Sequence, residues 1–154
     1  MTGAPRDKRD LIHRHIRENP GLLLGDISSG TGIPKATLAY HVNKLVRENK
    51  VKHRASSRRK RYFAVGYTEV QAGAICALRT ATPRAILGML LDSPGTSFSG
   101  MASSIQKSRS TVSACLKSLS DSGLVGSKLD GMTRVYFVRD GDTVREMLDR
   151  YFSS

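Results

Sequence analysis

The chain repeats itself, and this limits its fold more than any other feature does. Displaced by 74 residues, the sequence aligns with itself without a gap from Ile12 to Phe63. Pro20 and Gly21 meet Pro94 and Gly95, Ile12 and Ile16 meet Ile86 and Leu90, and Ile27 meets Met101. Lys35, Thr37 and Leu38 meet Arg109, Thr111 and Val112; Val42 and Leu45 meet Leu116 and Leu119. Asn49 meets Gly123, and Tyr62 and Phe63 meet Tyr136 and Phe137. Chance rarely preserves apolar positions, a helix stop and an aromatic pair together. A length of 154 residues suggests one domain. A period this long makes two small ones.

Each copy reads alike. The pattern predicts a first helix over about Asp7–Asn19 or Thr82–Leu91, broken by a Pro-Gly turn. A short extended segment follows, Leu22–Leu24 or Thr96–Phe98, then a short helix over Gly25–Thr31 or Ser99–Ile105. A tight turn leads to a third helix, Pro34–Asn49 or Arg109–Ser122. A strand pair closes each copy: Lys50–Ala55 with Lys60–Val65 through Ser56 and Ser57, and Leu124–Leu129 with Met132–Val138 through Asp130 and Gly131. Three helices closed by a hairpin make a winged helix. The expected fold is mainly α with small β wings, an α+β arrangement of two tandem winged helix-turn-helix domains. Expected boundaries are 1–66 for the first winged-helix domain, 67–81 for a linker helix, 82–140 for the second domain and 141–154 for a C-terminal helix. Asp142 is the expected cap of that last helix.

The third helix of the first copy carries the chemistry. Leu38, Val42, Leu45 and Val46 recur as one buried stripe. Pro34 suits its start, and Asn49 tolerates the left-handed backbone that ends helices. Off the stripe lie hydrogen-bonding and cationic side chains. Tyr40, Asn43 and Lys44 are the candidates for reading bases, since Asn suits adenine and Lys suits guanine in the major groove. Lys35 and Thr37, near the helix start, suit bases or phosphate. His41 borders the stripe, so a packed histidine and a DNA contact both fit it.

Charge is unequally shared. Residues 1–66 carry 15 Lys+Arg against 5 Asp+Glu; residues 67–154 carry 10 against 8. The formal net charge of +12 favours a polyanionic partner. Much of it sits on the first strand pair, in Lys52, His53, Arg54, Arg58, Arg59, Lys60 and Arg61. Such a run is often only a solvated face. Following a recognition helix, it is well placed for phosphate, which fixes position without reading sequence. The second copy keeps Arg109, Ser110, Thr111, Ser113 and Lys117, with Lys128 and Arg134 beside Asp130. Either it touches the same DNA more weakly or it binds protein; hydroxyls at a helix start favour the first reading.

The run from Thr37 to Val51 resembles the recognition helix and following strand of winged helix-turn-helix transcription regulators, broadly ArsR-like and MarR-like. With Asn19, Pro20 and Gly21, with Tyr40 and His41, and with Tyr62 and Phe63, the chain looks most like archaeal regulators built from two tandem winged helices. The resemblance covers about 7–65 and 82–138. It implies transcription control, with the third helix in the major groove and the wing along the backbone. The cysteine pair of metal-sensing ArsR relatives is missing.

Other functions find little support. No phosphate-binding glycine loop, nucleophile elbow or metal-ligand spacing is present, so neither an enzyme, a cofactor nor a metal is expected. Cys76 and Cys115 are too few for a disulfide framework and suit a reducing cytosol. The N-terminus lacks an apolar signal core, and no apolar run spans a membrane. The expected setting is cytoplasmic and nucleoid-associated, on double-stranded DNA. The mostly small apolar helix 68–80 and the helix 142–152, with Val144, Met147, Leu148 and Tyr151 on one stripe, serve either as core elements or as a homodimer interface. Two functional readings stand: a sequence-specific DNA-binding transcriptional regulator, and a non-specific nucleic-acid-binding scaffold of a transcription or chromosome-organising complex.

Overall fold

A computed structural model describes residues 7–56 and 58–152. Ser57, expected in the first wing turn, lies outside the described residues, as do 1–6 and 153–154. The chain divides into two compact units between Ala72 and Gly73.

The first unit opens with α1 (Lys8–Glu18), started by Asp7, whose side chain accepts from the Asp10 N–H. Ile12 and Ile16 on it are fully buried. Gly21 turns the chain at φ +83° into β1 (Leu22–Leu23). The short helix α2 (Leu24–Thr31) follows and stops at Gly32, φ +75°. The longer helix α3 (Lys35–Arg47) comes next. Pro34 does not enter its first turn: at ψ 146° the residue is extended and occupies the cap position. Leu38, Val42 and Leu45 are buried, while Val46 only flanks the core. Asn49 is left-handed at φ +61°. Strands β2 (Val51–Ser56) and β3 (Arg59–Ala64) form the wing, and Val51 and Tyr62 complete the core. The sheet has three strands rather than two, in the order β1-β3-β2, because Leu22 pairs with Tyr62 and Leu23 with Arg61. An extended segment beside an unpaired strand edge satisfies its backbone groups by joining it.

Helix α4 (Glu69–Leu78) runs across the division. The second unit then repeats the first: α5 (Ala81–Asp92), β4 (Thr96–Ser97), α6 (Phe98–Ser104), α7 (Arg109–Asp121), β5 (Val125–Asp130) and β6 (Thr133–Val138). The duplication holds at the level of single hydrogen bonds. Gly21 N–H donates to the Tyr62 carbonyl and Gly95 N–H to that of Tyr136, both at 2.8 Å. Lys50 N–H donates to the Leu45 carbonyl as Leu124 N–H does to that of Leu119. The left-handed stops coincide too, Asn49 with Gly123 at φ +85°. The fold is α+β, two winged helix-turn-helix units in tandem.

The last helix, α8 (Gly141–Phe152), starts one step earlier than expected. Asp140, not Asp142, caps it: its carboxylate accepts from the Thr143 N–H at 3.2 Å and from the Thr143 hydroxyl at 2.9 Å. Asp142 falls inside the first turn, where its charge still interacts favourably with the helix dipole. Asp140→Ala should therefore lower the stability of the second unit by about 1 kcal/mol, read as a shift in urea midpoint; an unchanged midpoint would deny the cap. Val144 and Met147 are fully buried and Leu148, Tyr151 and Phe152 half-buried, so α8 spends its stripe within the chain. Arg79 stacks on the Phe152 ring at 4.8 Å. In α4, Ala74, Ile75, Cys76 and Leu78 are buried as well. Among the described residues no single helix is long and apolar enough to cross a membrane.

Candidate nucleic-acid interface

Burying Leu38, Val42 and Leu45 leaves the opposite face of α3 outward. Lys35, Asn43 and Arg47 are exposed, and Tyr40 is 57% exposed despite its size. One helical turn separates Tyr40 from Lys44, and the Lys44 ammonium lies over the Tyr40 ring at 5.7 Å. His41 meets the same ring edge-on at 5.3 Å. Its Nδ1 is buried and has no hydrogen-bond partner among the described residues. That ring is thus half-packed, with one nitrogen withdrawn from any ligand. Thr37 is half-buried. At the helix end Glu48 binds Arg9 of α1 at 3.2 Å, which ties the recognition helix to its support.

On the wing, strand register decides which cations are available. Arg54 lies directly across from Arg61, Ala55 from Lys60 and Ser56 from Arg59. Like charges directly opposite repel, and both members of the Arg pair have found partners. Arg61 Nη1 donates to the Gly21 carbonyl at 2.8 Å, which brings the start of β1 against β3. Arg54 forms an ion pair with Glu69. Arg58, Arg59 and Lys60 are exposed, Arg58 with a left-handed backbone at φ +67°. A cleft of about 560 Å³ is lined by Lys35, Arg59, Lys60, Asp26 and Tyr62. Cations from the helix start and from the wing therefore border one concavity. Lys35 reaches it across Gly25, where even a Cβ would lie 3.5 Å from its ammonium.

The second unit offers a quieter counterpart. Ser108 caps α7 by accepting from the Thr111 N–H at 3.1 Å, and its own hydroxyl donates to Thr111 Oγ1 at 2.8 Å. Arg109 stacks on the Phe98 ring at 4.8 Å. Lys117 pairs with Asp121 at 3.0 Å. On the wing Arg134 donates to the Ser127 hydroxyl at 2.9 Å. These predicted cations already have neighbours of their own. Cys115, the counterpart of His41, is half-buried, and burial pushes its thiol pKa up, away from the reactive thiolate.

Three roles are not foreseen from the sequence: the Ser108 cap, the Arg61 bond to Gly21 and the Glu69 partner of Arg54. A serine one residue before a periodic run is the signal that could have revealed the first. The other two join residues 40 and 15 positions apart, with nothing local to announce them.

A basic wing beside an exposed polar helix face, on a duplicated three-helix scaffold, is the architecture of tandem winged helix-turn-helix proteins. Comparison with known proteins agrees. A family described as an N-terminal HTH domain matches residues 6–75, and one described as winged helix-turn-helix DNA-binding matches residues 79–125. The chain is 28% identical over 134 residues to an uncharacterized HTH-type transcriptional regulator of Methanocaldococcus jannaschii, an alignment covering 87% of this chain and 34% of that protein. It thus spans about a third of the length of the curated relative it matches. Both family matches are to helix-turn-helix modules rather than to catalytic domains.

Proposed function

We propose that the chain is a sequence-specific regulator of transcription that lays α3 in the major groove of double-stranded DNA and its first wing along the backbone. The observation that carries this is the outward face of α3, where Tyr40 and Asn43 are exposed and half-buried Lys44 lies over the Tyr40 ring, all off the buried stripe of Leu38, Val42 and Leu45. A merely non-specific binder has no need of an uncharged amide and a large exposed ring there. Lys35, Arg59 and Lys60 supply phosphate contacts around the cleft and Arg58 another from the wing turn, and Thr37 and His41 border the reading face. Arg109, Thr111 and Lys117 add weaker contacts from the second unit. The domains divide the work as 1–66, 67–81, 82–140 and 141–154. A homodimer through the outer faces of α4 or α8 would show in the selected site as paired half-sites about 34–36 Å apart.

Selection on random duplex at moderate salt tests the reading. A regulator returns a motif bound about 10³-fold or more over random sequence. A non-specific scaffold returns none, and the proposal then falls. Within the motif, Asn43→Ala should relax preference at one or two base pairs, by about 1–3 kcal/mol of discrimination. An unchanged motif would remove Asn43 from the reading set.

A further inference from the structure

Two carboxylates stand close to the first wing, and they differ in how they are held. Asp26 lines the cleft beside Arg59 and Lys60, but it already accepts the Leu23 N–H at 3.2 Å as part of the α2 cap. Glu69 has no such duty. Its side chain is 89% exposed, and its carboxylate binds the Arg54 guanidinium. The start of α4 holds it there. Gln71 N–H donates to the Thr68 hydroxyl at 3.1 Å and Thr68 N–H to the Gln71 side chain at 2.9 Å, a reciprocal lock on the first turn. Phe63 of β3 meets Tyr67 edge-on at 5.7 Å. Between wing and helix remains a cavity of about 100 Å³, bordered by Lys52, Arg54, Tyr67, Glu69 and Ala72. The guanidinium can therefore leave its partner without disturbing a packed core.

We propose that Glu69 is an internal stand-in for a DNA phosphate: it occupies Arg54 in the DNA-free protein and a backbone phosphate of the duplex takes its place on binding. This rests on the reading of the wing as a phosphate-contacting element. Three arguments carry it. A guanidinium fork fits carboxylate and phosphate alike, so one Arg54 conformation serves both. Without DNA, Arg54 and Arg61 sit opposite each other across the strands, and Glu69 offsets that repulsion. An ion pair with so exposed a carboxylate is weak and screened, whereas a phosphate contact releases condensed counterions. The exchange is therefore downhill on DNA and reverses on release. Glu69 lowers affinity and makes it less salt-dependent than the number of wing cations implies.

The test is a double-mutant cycle on a random-sequence duplex, with binding followed by fluorescence anisotropy over a salt series. Glu69→Gln removes the competitor at an exposed position; its charge also favours the dipole at the start of α4, so unfolding midpoints are read alongside to verify that the fold is kept. The expected result is binding tighter by about 2- to 5-fold at low salt, with a salt slope steeper by up to about 0.9. In an Arg54→Ala background the same substitution should have no effect beyond error. If Glu69→Gln helps equally in both backgrounds, Glu69 acts only as bulk negative charge and the proposal is overturned. No gain in either background overturns it as well. If alanine at Arg58, Arg59 and Lys60 together leaves binding intact, the wing reading itself fails and takes the proposal with it. Loss of coupling with an intact wing effect rejects the role of Glu69 alone.

Discussion

Alanine at Arg58, Arg59 and Lys60 together should weaken binding to every duplex alike and reduce the magnitude of the salt slope by about 2.7, one phosphate per residue. At moderate salt the loss should be roughly 10²-fold, read by anisotropy on operator and random duplex in parallel. The effect is uniform because phosphates carry no base identity. These three are chosen from the wing because they are exposed and free of the internal bonds that hold Arg54 and Arg61. Arg61 is unsuitable. Its Nη1 on the Gly21 carbonyl and its half-buried stem make Arg61→Ala a test of how β1 joins the sheet. At Arg58 the left-handed backbone disfavours alanine about as it does arginine, so the substitution removes charge rather than relieving strain. A triple variant that bound operator normally while losing only random duplex would contradict the assignment, as would an unchanged salt slope.

The architecture is legible because it is written twice. The gapless 74-residue offset turns each ambiguous local signal into two observations. The Pro20 and Pro94 turns, the Asn49 and Gly123 stops and the aromatic pairs at 62–63 and 136–137 all support one another. What stays hidden in the sequence depends on partners distant in the chain. The third strand is not readable from Leu22 and Leu23 alone, since two residues carry no period; only Tyr62 and Arg61 make them a strand. The wing run is uniform in sequence, seven cationic or imidazole side chains within ten positions. The fold sets Arg54 and Arg61, bound within the unit, apart from the other five, Lys52, His53, Arg58, Arg59 and Lys60, which are exposed. The recognition helix is the easier case. A stripe of Leu38, Val42 and Leu45 fixes which residues face away, whatever those residues are.

The same stripe leads to the largest expected loss of stability. Leu38 is fully buried in the cluster with Ile12, Ile16, Ile27 and Tyr62. Leu38→Ala removes a fully buried side chain from a small core built almost wholly of branched aliphatics, and such deletions cost about 2–5 kcal/mol. A unit of this size has a total stability of the same order. The variant should therefore leave much of the first unit unfolded near physiological temperature and lose DNA binding, although Leu38 itself lies wholly in the core. The repeat supplies the control. Val112 occupies the equivalent place in α7 and is equally buried. Val112→Ala should weaken the second unit, in urea melts, yet retain most affinity for a random duplex, because most of the net charge and the exposed polar face of α3 belong to the first unit. Equal loss of binding in the two variants would mean that both units grip DNA alike. The unequal charge of the two copies would then have misled, and the contacts of Arg109 and Lys117 would rank with those of Lys35 and the first wing.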